Sequence, residues 1–188
     1  MKKGFKIFLL VAAIIMVIAV LGLFAAITIM GDRHETEHEK GKAYFDFDEV
    51  VYYKTIKDFD DLIDVDGKKV RTRKDSVTEQ IISDFEEVVP YDVAAAYLDS
   101  IGFEKQVLLV SKHSELMEIF SEKSNLNIGS TTCEPIYRDV YVFKKNGKFS
   151  GMAKLCYECG LSHFIGTNAD TDNFGSEGEY TKLKALVN

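Results

Sequence analysis

Residues 136–155, IYRDVYVFKKNGKFSGMAKL, carry the strongest indication of how this chain folds. Asn146 and Gly147 lie near their centre, and this dipeptide favours a type I′ turn between two antiparallel strands. That turn pairs Lys145 with Lys148 and, by extension of the same register, Asp139 with Lys154. One face then carries Ile136, Val140, Val142, Ala153 and Leu155, and the other carries Tyr137, Tyr141, Phe143 and Met152. Because neither face is polar, the hairpin is predicted to lie centrally in its sheet, covered on both sides.

Segments on either side of this hairpin predict an α+β domain, with helices packed on a mostly antiparallel sheet. Residues 43–56 are rich in aromatic and β-branched residues and predict one or two strands. Residues 106–110 predict a further strand, and Asp66–Gly67 predicts a hairpin turn.

Helices are predicted from capping residues and apolar spacing. Ser76 and Glu79 match a capping box that opens a helix ending at Pro90. Asp92 is predicted to cap a second short helix that closes at Gly102. Apolar residues predicted to be buried by the first helix and by a later one are Val77, Ile81, Ile82 and Phe85, then Leu116, Ile119 and Phe120.

The N-terminal segment predicts a membrane anchor. Residues 7–30 contain no charged residue and are long enough to cross a bilayer core of about 30 Å. Residues 27–30, Ile-Thr-Ile-Met, make a poor cleavage site, so an uncleaved signal anchor is favoured over a cleaved signal. Residues 1–6 are predicted to be a cytoplasmic tail, residues 31–42 a polar linker, and residues 43–188 one extracytoplasmic domain. This arrangement corresponds to a single-pass protein of the inner membrane, with the domain periplasmic or extracellular.

The net charge limits the classes of partner that the predicted domain is expected to bind. The formal net charge is −7, and it becomes −10 when Lys2, Lys3 and Lys6 are set aside with the anchor. An acidic domain is repelled by phosphate backbones, so nucleic-acid binding is not expected.

The three cysteines allow several interpretations. A structural disulfide is favoured, as Cys156–Cys159 or as Cys133–Cys159. Cys156 and Cys159 also form a CxxC motif, whose redox chemistry would call for a helix N-terminus that the sequence does not predict here. A zinc site made of Cys133, Cys156, Cys159 and His163 is a third possibility, since thiolates and imidazole suit tetrahedral Zn²⁺.

Two further segments resemble metal sites. His34, Glu35 and His38 satisfy the HExxH pattern of zinc proteases, although their flanks are charged and chance occurrence is favoured. Residues 168–179 resemble a calcium loop with Asn168, Asp170, Asp172 and Glu179 as ligands, but Asn173 replaces the glycine of the sharp turn. Ser176 and Glu179 also match a capping box for a final helix that uses Tyr180, Leu183, Leu186 and Val187. No cofactor is predicted.

The C-terminal part of the chain, residues 111–188, resembles uncharacterised small cell-envelope proteins of bacteria, chiefly of the Bacteroidetes type. The resemblance rests on YRDVYVFKKNGK at residues 137–148, GMAKLCYECG at 151–160, GTNADTDNFG at 166–175 and GEY at 178–180. It implies a bacterial membrane setting and brings no known activity and no catalytic residues to carry over to this chain.

These features together favour a non-enzymatic, membrane-anchored domain that binds another protein or stabilises an envelope assembly. An immunity protein against a basic toxin would have this architecture. The alternative is a thiol–disulfide or metal-binding protein that uses the CxxC motif at residues 156–159.

Overall fold

The structure is a computed structural model that describes residue 16 and residues 41–57, 60–61, 70–83, 87–124 and 132–187. The predicted anchor at residues 7–30 lies outside these residues apart from Met16, and so do Asp66–Gly67 and Phe85. Among the residues that are described, no helix is both long and apolar enough to span a membrane. The chain divides into residues 1–39 and residues 40–188, and every element named below belongs to the second unit.

The described elements form an antiparallel sheet with helices on both faces, so the α+β prediction is confirmed. Strands β1 (Glu49–Lys54), β2 (Glu104–Val107), β3 (Asp139–Lys145), β4 (Lys148–Cys156) and β5 (Leu161–Ile165) are arranged in the order β2-β1-β3-β4-β5. The α-helices are α1 (Arg73–Ile82), α2 (Tyr91–Tyr97), α3 (His113–Ile119) and α4 (Glu179–Val187). Short 3₁₀ helices at Leu98–Ile101 and Val110–Lys112 follow α2 and precede α3.

Two hydrophobic cores lie on opposite faces of the sheet. Helices α3 and α4 pack on the face of Tyr141, Phe143 and Leu155, with Leu116 and Leu183 among the buried side chains. Helices α1 and α2 pack on the opposite face, through residues that include Val77, Ile81, Ala94, Val140 and Met152. Strand β3 is central and buried on both faces, as the sequence predicts.

The hairpin turn is confirmed, but the predicted register is wrong beyond the first two pairs. Asn146 and Gly147 have φ of 51° and 73°, as a type I′ turn requires. Phe143 then pairs with Gly151, so Ser150 is an extra residue that forms a β-bulge.

The bulge moves the side chains of β4 to the opposite faces. Asp139 pairs with Leu155 and Val140 with Lys154, so the predicted Asp139–Lys154 pair does not form. A slip of one residue exchanges the two faces of a strand. Ala153 and Leu155 therefore lie with Tyr141 and Phe143, and Met152 lies with Val140 and Val142.

Helix α1 begins earlier than predicted and ends earlier. Thr72 is the N-cap, and its side chain and that of Asp75 form the capping box. The predicted box at Ser76 and Glu79 lies inside the helix, although Val77, Ile81 and Ile82 are buried as expected. The helix ends at Ile82, well before Pro90.

Pro90, rather than Asp92, is the N-cap of α2, and Asp92 lies in its first turn. Gly102, with φ of 94°, terminates the following 3₁₀ turn, as predicted. Residues 43–56 contain the single strand β1, and the strand predicted at residues 106–110 is β2, which begins and ends earlier. Helix α3 buries Leu116 and Ile119, and Phe120 follows directly.

Candidate functional site

The cysteines form a Cys133–Cys159 disulfide, one of the two pairings that the sequence left open. The bond joins the segment before β3 to the β4–β5 turn, with Cα atoms 5.7 Å apart. Cys156 is the last residue of β4, and its thiol is free and buried in the sheet. The CxxC motif is therefore divided between a disulfide and the protein interior.

The structure does not assemble the predicted zinc or calcium sites among the residues it describes, which contain no group of three His, Cys, Asp or Glu able to hold a metal. Two thiols of the proposed zinc set are bonded to each other. His163 lies on β5 instead, with its ring near those of Tyr91 and Tyr137. The candidates His34, Glu35 and His38 lie outside the described residues.

Glu179, the last residue of the proposed calcium loop, has other partners. Its carboxylate is buried and accepts hydrogen bonds from the backbone N–H groups of Gly175 and Glu177, at 3.0 and 2.9 Å. The ammonium of Lys123 lies 3.6 Å from the same carboxylate. Ser176 makes no capping bond, so the predicted capping box does not form, although α4 begins at Glu179. Two backbone N–H groups and a lysine ammonium therefore stabilise the negative charge of Glu179, as a calcium ion would.

An open cleft lies between residues 87–90 of the α1–α2 connection, the start of α2, and strands β4 and β5. It has a volume of about 700 Å³. Its lining combines carboxylates, an ammonium and apolar surface, contributed by Glu87, Tyr91, Asp92, Lys148, Phe149 and Ile165. The three charged residues are exposed, and none of them forms an ion pair with another described residue.

Two buried polar side chains position the wall of the cleft that carries Glu87. The amide of Gln80 accepts from the N–H groups of Val88 and Val89, both at 3.0 Å, and donates to the carbonyl of Val89 at 2.8 Å. The ammonium of Lys154 donates to the carbonyls of Gln80 and Ser83, at 3.1 and 2.7 Å. A cation near the last carbonyls of a helix is favoured by the helix dipole. Both side chains are fully buried, so they fix the end of α1 and the residues just after Glu87.

Lys154 also contacts the aromatic residues beside the cleft. Its Nζ lies 4.7 Å from the centroid of the Tyr137 ring and 6.0 Å from that of Tyr91. Cation–π contacts of this kind offset part of the cost of burying an ammonium. Tyr91 thus lies between the buried lysine and the open cleft.

On the opposite face, a buried carboxylate lies within a group of tyrosines. The Tyr52 hydroxyl donates to the carboxylate of Asp139, and the hydroxyls of Tyr141 and Tyr157 are 3.3 Å apart. Burial raises the pKa of the Asp139 carboxyl, and the hydrogen bond from Tyr52 opposes that shift. Tyr52, Asp139 and Tyr141 are buried and Tyr157 is half-buried, so these hydrogen bonds form part of the packing on this face.

An exposed apolar surface lies at the β2 edge of the sheet. All residues of β2 are exposed, and β2 pairs only with β1 among the described strands. The exposed fractions of Val107, Leu109 and Val110 are 60%, 67% and 76%. We call these three residues the β2 surface.

Sequence reasoning missed both the cleft and the β2 surface. The cleft joins residues of the α1–α2 connection to a hairpin and a strand far along the chain, so no local motif marks it. The β2 surface has a local signal, the apolar run of residues 107–110, but that run equally predicts a buried strand. Comparisons of the chain with protein-family models, curated proteins and solved structures find no match.

Proposed function

We propose that residues 43–188 form a non-enzymatic protein-binding domain, held at a bacterial membrane by the anchor at residues 7–30 and facing away from the cytoplasm. The observation that carries this proposal is the exposed edge strand β2 with its apolar neighbours. Large exposed side chains grouped at a sheet edge are typical of interaction sites.

Some main-chain groups at this edge point away from the rest of the sheet. The N–H of Leu108 donates to the carbonyl of Val50 at 3.0 Å, so Leu108 and Val50 form a hydrogen-bonded pair. Such pairs alternate along an antiparallel ladder, and the backbone groups of Lys105 and Val107 therefore point away from β1. An extended segment of another protein can accept and donate hydrogen bonds at these two residues.

The order of residues along β2 favours pairing with a strand of a different protein over pairing with a second copy of this chain. Because only Lys105 and Val107 of β2 offer outward backbone groups, a two-fold antiparallel pair places Lys105 opposite Lys105, Val107 or Leu109. Glu104 then never faces Lys105, so no attractive charge pair forms. The net charge of −10 outside the N-terminal lysines also opposes self-association and favours a basic partner. An immunity protein that binds a basic toxin fits these features.

The thiol–disulfide or metal-binding alternative has less support. Cys159 is bonded to Cys133, and Cys156 is buried, so the two residues of the CxxC motif are not an accessible dithiol pair. The envelope setting rests on the sequence of residues 1–42 and on the resemblance of residues 111–188, and it stays a prediction. Protease treatment of sealed membrane vesicles tests it, since digestion of residues 43–188 from the cytoplasmic side would contradict the proposed orientation.

The binding proposal is tested by comparing three forms of the full-length chain in affinity capture from solubilised bacterial membranes. The double variant Val107→Asp with Leu109→Asp places charge on the β2 surface. It is expected to reduce capture of the partner at least tenfold, as measured by quantitative mass spectrometry. Val88→Asp is the control, because Val88 is 56% exposed and belongs to the α1–α2 connection. A captured set that is unchanged by the double variant contradicts the proposal, as does equal loss in the control.

A further inference from the structure

We propose that the cleft between the α1–α2 connection and strands β4 and β5 binds a small ligand with an ammonium group on an apolar body, of which an amino acid with an apolar side chain is the simplest case. The cleft is formed by residues other than those of the β2 surface. The proposal is therefore independent of protein binding at β2.

The size of the cleft suits a small organic ligand. Its volume of about 700 Å³ lies within the range of about 300–1,000 Å³ that is usual for such sites. Phe149, Ile165 and Tyr91 are half-buried and provide the apolar surface on which a side chain can pack.

The charges at the rim select the ligand. Glu87 and Asp92 are exposed carboxylates that lack an ion-pair partner among the described residues, so both attract an ammonium group in the cleft. Tyr91 and Phe149 also line the cleft, and the faces of aromatic rings attract cations. A ligand with only an anionic group is attracted by Lys148 alone and is repelled by the two carboxylates.

Lys148 explains why a zwitterion fits better than a simple amine. Its exposed ammonium lines the cleft from the start of β4 and is available to a carboxylate on the ligand. Ligand specificity then depends on three charged side chains, two for the amine and one for the carboxylate.

The wall that presents Glu87 is preorganised. Gln80 binds the backbone of Val88 and Val89 through three hydrogen bonds, and Lys154 fixes the carbonyl of Ser83 on the other side. A site whose backbone is already held loses less conformational entropy when a ligand binds. Both of these fully buried polar side chains therefore hold described residues at the two ends of the connection, and its later end borders the cleft.

Three probes test the proposal by isothermal titration of the full-length chain in detergent micelles. They are L-phenylalanine, L-phenylalaninamide, which lacks the carboxylate, and 3-phenylpropionate, which lacks the amine. We expect saturable binding of L-phenylalanine, weaker binding of the amide, and none of 3-phenylpropionate. Equal binding of the first two also supports the ammonium site and points to a peptide N-terminus as the source. Binding of 3-phenylpropionate as tight as that of L-phenylalanine overturns the proposal, and so does a Kd weaker than about 10 mM for every probe.

Variants separate the site from partition of the probes into detergent. Glu87→Gln combined with Asp92→Asn is expected to weaken the binding of L-phenylalanine and of its amide about tenfold or more. Lys148→Gln is expected to weaken L-phenylalanine alone. Glu104→Gln is the matched control, since Glu104 is exposed on β2 outside the cleft. Binding that survives the double variant unchanged, or that falls equally in the control, overturns the proposal.

Discussion

Asp139 is a carboxylate at the first position of the central strand, and only 7% of it is exposed. Its pKa is raised, chiefly because burial penalises the charged form. An acid whose pKa is raised by folding contributes stability that is fully present below its unfolded pKa, and this contribution is lost as the pH rises through its folded pKa. Asp139 therefore lowers the stability of the domain at neutral pH.

Asp139→Asn removes the charge and keeps an oxygen that can accept the hydrogen bond from Tyr52. We expect the variant to gain free energy of unfolding relative to the wild type at about pH 7 and to lose that advantage at about pH 4. Urea unfolding at the two pH values measures the difference. Asp172→Asn, at an exposed position, is the control and is expected to alter stability by less than about 0.5 kcal/mol. A difference that does not vary with pH would contradict the role given to Asp139.

At the scale of elements, Gly151, which follows the bulge in β4, lies against a residue that is distant in sequence. Phe45 stacks on Phe143 with ring centroids 4.2 Å apart. A Cβ at Gly151 would lie 2.4 Å from the Phe45 ring and 2.8 Å from the carbonyl of Ile165. The stack thus occupies the space above Gly151, and this position must remain free of a side chain.

Gly151→Ala is expected to cost about 1–3 kcal/mol by overpacking, and Phe45→Leu should recover part of that loss. The coupling free energy between the two substitutions is expected to be at least about 0.5 kcal/mol in a double-mutant cycle of urea unfolding.

Gly147→Ala provides the matched control for this cycle. No atom lies within 4 Å of a Cβ at Gly147, so its cost of about 1–2 kcal/mol comes from the positive φ alone. Its effect should add to that of Phe45→Leu. Additive behaviour of Gly151→Ala as well would rule out Phe45 as the reason for the glycine.

Local chemistry explains which elements the sequence predicts correctly. The Asn146–Gly147 turn is specified by two adjacent residues, whereas the strand next to the bulge packs against Phe45, which lies far away in sequence. The start of α1 was misplaced because two similar capping patterns, at Thr72 and at Ser76, lie one turn apart. The cleft could not be predicted, since the residues on its two sides meet only after the sheet has formed.

For the whole molecule, the Cys133–Cys159 disulfide fixes the entry to β3 against the β4–β5 turn. The two cysteines are 26 residues apart in sequence, and closing a loop of this length stabilises a domain by about 3.5 kcal/mol in the chain-entropy account. The bond requires an oxidising compartment, which agrees with the proposed location outside the cytoplasm.

Reductant is therefore expected to lower the free energy of unfolding of the wild type by about 3.5 kcal/mol and to leave that of Cys133→Ser unchanged. Urea unfolding with and without reductant measures this, and peptide mapping under non-reducing conditions identifies the bonded pair. The Cys156→Ala variant should still yield the disulfide-linked peptide that contains Cys133 and Cys159. A Cys156–Cys159 peptide in the wild type would show that the other pairing forms.

The strand order affects how the domain folds when the chain is synthesised or exported with its N-terminus first. Strand β1 lies between β2 and β3, and its Glu49 pairs with Lys144, 95 residues later. During synthesis or export, β1 and β2 can pair early, but the inner edge of β1 stays open until β3 arrives. Pairing over such a long separation is intrinsically slow. The nascent domain therefore passes through a stage with two open edges, when a holding chaperone would protect it from aggregation.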